Sequence, residues 1–145
     1  MGQDPVREHL RQIGASDLIV AGGLKGLVDA WDAVVNSVAR GYSLDIDSYL
    51  NDLDTRQLLE EALSASPESE KQYYLERVDR ADRLMKKSVK PVGRCLWGEA
   101  VARKEAWSPG RNWWYFSVPI HPGKELLEDL TNQDATSSPN FLGRT

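Results

Sequence analysis

The sequence predicts a mostly α fold, a compact bundle of five to seven short-to-medium helices with one short aromatic β segment near the C-terminus. Three observations lead there. A long apolar stripe at helical spacing runs through Leu24, Leu27, Val28, Trp31, Val34, Val35 and Val38. Helix-starting residues recur along the chain, with Ser, Asp or Pro standing ahead of apolar-periodic runs. Only Asn112 to Val118 is rich in the aromatic and β-branched residues that fit a strand.

In chain order, Val6, Leu10 and Ile13 space a short first helix that Gly14 ends. Ala21 to Gly26, carrying Gly22, Gly23 and Gly26, reads as a flexible linker into the main helix, which Gly41 stops. Two short helices are expected next. Ser43 or Asp45 caps the one with Ile46, Tyr49, Leu50 and Leu53, and Asp54 with Gln57 opens the one with Leu58, Leu59, Ala62 and Leu63. Ser66 and Pro67 then start a longer helix to about Lys87, with Tyr74, Leu75, Val78, Ala81 and Met85 inward. Its outer face pairs Glu76 with Arg80, Asp79 with Arg83 and Asp82 with Lys86, each pair adding about 0.2–0.5 kcal/mol. After the break at Pro91 and Gly93 come a helix from Trp97 to Ala106, a turn at Ser108-Pro109-Gly110 and the extended segment. Pro122 opens a last short helix with Leu126, Leu127 and Leu130. Residues 1–130 make one helical domain, and 131–145, rich in Ser, Thr, Asn and Gly, read as a loose tail.

A chain of 145 residues, 41% hydrophobic and 28% charged, has the size and composition of one globular domain. Its single cysteine, Cys95, excludes an intrachain disulfide and points to a reducing compartment. The first eleven residues carry Asp4, Arg7, Glu8 and Arg11 without an apolar run, so neither a secretory signal nor an anchor is expected. Leu18 to Val38 is interrupted by Lys25, Asp29 and Asp32, which argues against a membrane span. A cytoplasmic location is expected. Net charge is −4 but uneven: residues 1–70 carry −8, residues 71–111 carry +6 and the remainder −2. Such asymmetry fits halves that attract one another on folding better than a phosphate-binding face.

Few residues combine into a reactive centre. His9, His121 and Cys95 lie too far apart in the chain to suggest a zinc site, and no metal or other cofactor is expected. Asp45-Ile46-Asp47 begins like a calcium loop, yet Leu50 stands where glycine is required and Arg56 where glutamate is. Cys95 beside Arg94 has no base next to it in sequence. The Gly22-Gly23 loop matches no phosphate-binding fingerprint.

Two features remain. Arg83, Lys86, Lys87, Lys90 and Arg94 form a basic run at the end of the long helix, an anion-binding set that also suits the negative end of a helix dipole. Four of the five tryptophans lie within residues 97–114. If Asn112 to Val118 is extended, Trp114, Phe116 and Val118 face the core, while Trp113, Tyr115 and Ser117 face out. Trp107, Arg111, Trp113 and Tyr115 then form a partner-binding patch of the residue types enriched in interfaces. A lone strand also invites pairing with Val89–Val92, with Leu96-Trp97 or with a second copy of the chain. The function expected is a non-enzymatic protein-binding module, such as a small bacterial regulator, antitoxin or immunity-type protein. The alternatives are nucleic-acid or phosphate binding through the basic run, with Trp113 and Tyr115 as stacking platforms, and a small-ligand pocket converging on Trp97, Trp107 and Arg111.

Overall fold

Asp4 accepts from the backbone N–H groups of Val6 and Arg7 at 3.0 and 3.2 Å and so caps helix α1, Pro5–Gln12, which buries Val6 and Leu10. The computed structural model describes residues 4–137, with side chains as far as Gln133. Ser16 caps α2, Asp17–Arg40. The glycines expected to be a linker lie inside this helix: only Gly23 leaves helical geometry, with φ 61° and ψ −153°. The kink is held from α1. Arg7 Nε donates to the Val20 carbonyl at 3.0 Å and Nη2 to the Ala21 carbonyl at 2.9 Å, so carbonyls at the break are satisfied.

The α2 stripe from Leu24 to Val38 is buried throughout, and Trp31 is fully enclosed. α2 is the central helix, against which α1, α3 (Ile46–Ala65) and α4 (Glu68–Ser88) all pack. The two short helices expected over residues 43–63 are the single α3. Asp54 does not cap a second helix there; its carboxylate is used by Tyr115 and Trp97, and the apolar row Leu50, Leu53, Leu59, Leu63 continues past it. On α4, Val78, Ala81 and Met85 are buried as their spacing requires. Glu76 and Arg80 pair at 3.9 Å, but Asp82 turns inward to Arg56 and Trp31 and away from Lys86.

The chain then forms β1, Val89–Pro91; α5, Glu99–Glu105; a 3-10 turn, Trp113–Phe116; β2, Ser117–Pro119; and α6, Lys124–Ser137. The one extended segment expected, Asn112 to Val118, is thus mostly a 3-10 turn, closed by Tyr115 N–H on the Asn112 carbonyl at 2.9 Å. The short strand that follows is not alone. β2 pairs antiparallel with β1, Lys90 opposite Val118, so of the partners expected for the strand it is the Val89–Val92 region of the same chain that supplies it. α6 is tied to the start of α3 by Asp129, which accepts from Ile46 N–H at 3.0 Å. It continues through Ser137, into the stretch composition marked as tail; the rest of that tail, 138–145, lies outside the described residues. Among the described residues no helix is long and apolar enough to cross a membrane.

Candidate protein-binding cleft

On α3, Asp54, Gln57 and Glu61 follow one another at helical spacing and face the segment that runs from α5 to β2. That segment is shaped locally. Ala106, at φ 60°, ends α5 in the left-handed conformation, and the Trp107 N–H returns to the Ala102 carbonyl at 2.9 Å. Asn112 closes the next turn by accepting from Ser108 N–H at 3.1 Å on its side-chain oxygen. The Asn112 amide then donates to Gln57 Oε1 at 3.0 Å, and the Gln57 amide to Glu61 Oε2 at 3.1 Å. Glu61 Oε1 lies 3.4 Å from His9 Nε2 of α1. One relay of side-chain hydrogen bonds therefore fixes the turn to α3 and reaches α1.

The Tyr115 hydroxyl donates to Asp54 Oδ1 at 2.6 Å, and Trp97 Nε1 reaches the same oxygen at 3.2 Å. Burial, and then the Asp54 bond, push the Tyr115 hydroxyl well above its ordinary ionisation range. Trp107 stacks on the Tyr115 ring at 3.9 Å and 16°. The result is a cleft of about 500 Å³ between α3 and the 105–112 turn. Trp107, Asn112 and Gln57 line it, with Glu60, Glu61 and Glu105 as its acids and Arg111 as its base. Arg111 is exposed, and its Nη2 donates to the Ala106 carbonyl at 2.6 Å, which holds the guanidinium at the mouth.

Below the cleft lies a buried ion pair that the charge pattern did not reveal. Arg56, 6% exposed, donates from Nε and Nη2 to the two oxygens of Asp82 at 3.0 and 2.9 Å, and from Nη1 to Glu60 at 3.1 Å. Trp31 Nε1 also donates to Asp82, at 2.9 Å, and the Trp114 ring lies 4.5 Å from the guanidinium carbon. A sequence signal existed: Arg56 falls three residues after Leu53 and three before Leu59, in the buried row of α3, where a charge demands a partner.

The four residues expected to form the partner patch separate. Trp107 and Arg111 share the cleft. Tyr115 is 1% exposed and belongs to the core, because a 3-10 turn points successive side chains in three directions instead of two. Trp113 is half-buried, edge-on to Trp114, with Lys86 Nζ 4.9 Å from its ring centre. Tyr115 therefore presents no open ring for stacking, and Lys86 stands over that of Trp113. Of the basic run, Arg83, Lys86 and Lys87 are exposed on the last turns of α4, while Lys90 and Arg94 flank a different groove beside α6. Trp97 lines a separate concavity with Arg94 and Cys95, so Trp97, Trp107 and Arg111 do not converge. Cys95 is buried, which raises its thiol pKa, and among the described residues no group of three His, Cys, Asp or Glu side chains could hold a metal ion. No family model matches the chain, and neither does a curated protein or a solved structure.

Proposed function

We propose that the chain is a non-enzymatic protein-binding module and that the cleft between α3 and the 105–112 turn receives its partner. The observation that carries this reading is the Trp107 wall, stacked on a buried tyrosine and tied to α3 through Asn112 and Gln57, with Arg111 and three glutamates around it. A preorganised aromatic surface beside charges of both signs binds without losing much side-chain entropy, and the charges give orientation. Among the described residues the cleft is lined by no serine, threonine, cysteine or histidine, which supports binding over hydroxyl, thiol or imidazole chemistry.

The test is affinity capture of the tagged full chain from its host, repeated with Arg111→Ala and Glu105→Ala, both exposed positions. The protein recovered with the wild type should be lost or weakened about tenfold or more by each change, at an unchanged melting temperature. Equal recovery by wild type and both variants would remove the cleft from the interaction.

A further inference from the structure

Trp107 lines two concavities, the cleft against α3 and a second of about 430 Å³ against α5, and Ala106 and Trp107 are common to both. One face of the indole is taken by the Tyr115 ring, so the concavities meet its other face and its edges. The two differ in chemistry. The second is walled by Val92, Ala102, Pro109 and Phe116, of which Ala102 and Phe116 are buried, and its charged residues, Glu99 and Arg103, balance. The cleft is acidic. Glu60 accepts from Arg56, whose charge Asp82 shares, and Glu61 accepts from Gln57 and lies beside His9. The Glu105 carboxylate has no partner among the described residues. Four carboxylates, Glu60, Glu61, Glu105 and Asp82, thus stand against two guanidiniums, Arg56 and Arg111, and a protonated His9 would still leave the cleft negative. Lys104 precedes Glu105 on α5 but lines neither concavity.

We propose that the partner presents a lysine or arginine next to a large apolar side chain, in a segment that crosses Trp107, the cation entering the cleft and the apolar group the α5 concavity. This rests on the reading that the cleft receives a partner, and it adds what that partner must carry. In the cleft the cation meets an excess of carboxylate and an indole, the two surfaces that attract it. In the α5 concavity the apolar side chain is removed from water against Phe116 and Val92. Arg111, with one N–H on the Ala106 carbonyl, keeps other donors for the main-chain carbonyls of the segment. The negative charge of the cleft turns away acidic segments and phosphate backbones.

Panning a random dodecapeptide phage library on the immobilised full chain tests the proposal. Enriched peptides should carry Lys or Arg beside Leu, Ile or Phe. A fluorescently labelled synthetic copy of the most enriched peptide should bind Glu105→Lys and Gly93→Gln at least about tenfold more weakly than wild type by anisotropy, and Lys90→Ala equally well. Gly93 is exposed and a methyl group there meets nothing within 4 Å, so glutamine occupies the rim of the α5 concavity without strain. Pro109→Ser replaces Gly93→Gln if the latter lowers the melting temperature. Changing the cation of the peptide to alanine should weaken binding to wild type strongly and to Glu105→Lys little further, because both changes remove one interaction. Acidic or uncharged peptides that Arg111→Ala weakens would overturn the cation and leave the cleft as the binding surface. Loss with Glu105→Lys but not with Gly93→Gln or Pro109→Ser would overturn the apolar half. Recovery of no enriched sequence, or of sequences that all these variants bind as wild type does, overturns the proposal, while capture of a host protein that Arg111→Ala abolishes would keep the cleft as an interface even then. Displacement of the peptide by spermidine at equal strength would assign the cleft to a small polyamine instead.

Discussion

Arg56 and Asp82 are the residues on which the core is most exposed to a single change. A largely buried ion pair has lost most of its hydration, so removing Asp82 leaves Arg56 with only the half-exposed Glu60 as its counter-charge, at a cost of about 2–4 kcal/mol, somewhat below that of a fully orphaned charge. Asp82→Ala should show that loss in urea unfolding. Replacing the pair together, as Arg56→Met with Asp82→Leu, should restore much of it, because the apolar pair strands no charge. If Asp82→Ala unfolds at the wild-type midpoint, the pair is not what holds α3 to α4. At this scale the sequence was legible where periodicity governs, as at Trp31, and illegible where a charge faces inward. Asp82 precedes Lys86 by one helical turn, a spacing that fits a surface pair equally well; what decides otherwise is Arg56, 26 positions back, with Trp31 adding a third donor. The same distance hides the cleft. Trp107 and Arg111 stood out as an aromatic and a cation in one short segment, but nothing near Gln57 or Glu61 announces that Asn112 will meet them.

At the scale of elements, the glycines of α2 behave differently from one another. A methyl group on Gly23 would sit 3.3 Å from the Arg7 guanidinium, at a positive φ that L-residues resist. Gly22 and Gly26 have helical backbone and nothing within 4 Å of such a methyl. Gly22→Ala and Gly26→Ala should therefore each stabilise by about 0.5–1 kcal/mol, through helix propensity and a less flexible unfolded chain. Gly23→Ala should destabilise by about 1 kcal/mol or more. Thermal melts of the three single variants read the difference, and a stabilising Gly23→Ala would show that Arg7 does not need the kink. Composition marked this stretch as a linker because glycine clusters usually are; the helix persists there because flanking Val20, Leu24, Leu27 and Val28 are buried and Arg7 caps the break. The aromatic segment near the C-terminus is extended only at its end, in β2, and turned before it, for a related reason. Strand propensity records how well a residue fits a half-buried surface more than a backbone preference, and Trp114, Phe116 and Val118 are buried whether the backbone is extended or turned.

For the molecule as a whole, the uneven charge is partly resolved by folding. Arg77 of the basic half reaches Asp29 and Asp32 of the acidic half at 3.0 and 2.7 Å. The Lys25 bond, and then the Arg77 bond, hold the Asp29 carboxyl below its ordinary value, so its contribution is present above pH 3.8 and is lost as pH falls through the lowered value. The opposite end of the pH scale is governed by tyrosine. Tyr42 and Tyr49, packed edge to face at 5.1 Å, and Tyr115, far along the chain, have hydroxyls raised above the ordinary 10.0, in each case first by burial. The unfolded chain ionises these groups before the folded one does, so stability is full below pH 10.0 and declines above it, by about 1.4 kcal/mol per pH unit for each tyrosine. A spectrophotometric titration at alkaline pH should show a cooperative, time-dependent step in tyrosinate absorbance that coincides with loss of helical circular dichroism. Smooth ionisation of all five tyrosines without unfolding would contradict the enclosed core.

The place where Trp114 covers Arg56 joins α3 to a segment made much later in synthesis. When α1 to α4 have left the ribosome, Arg56 and Asp82 can already meet, but the ring that shields them and the tyrosine that binds Asp54 have not yet been added. A nascent chain stopped before Trp114 would thus carry a water-accessible ion pair within an unfinished apolar surface, the kind of intermediate that chaperones and proteases recognise. Closure of the N-terminal helices waits on the last quarter of the polypeptide.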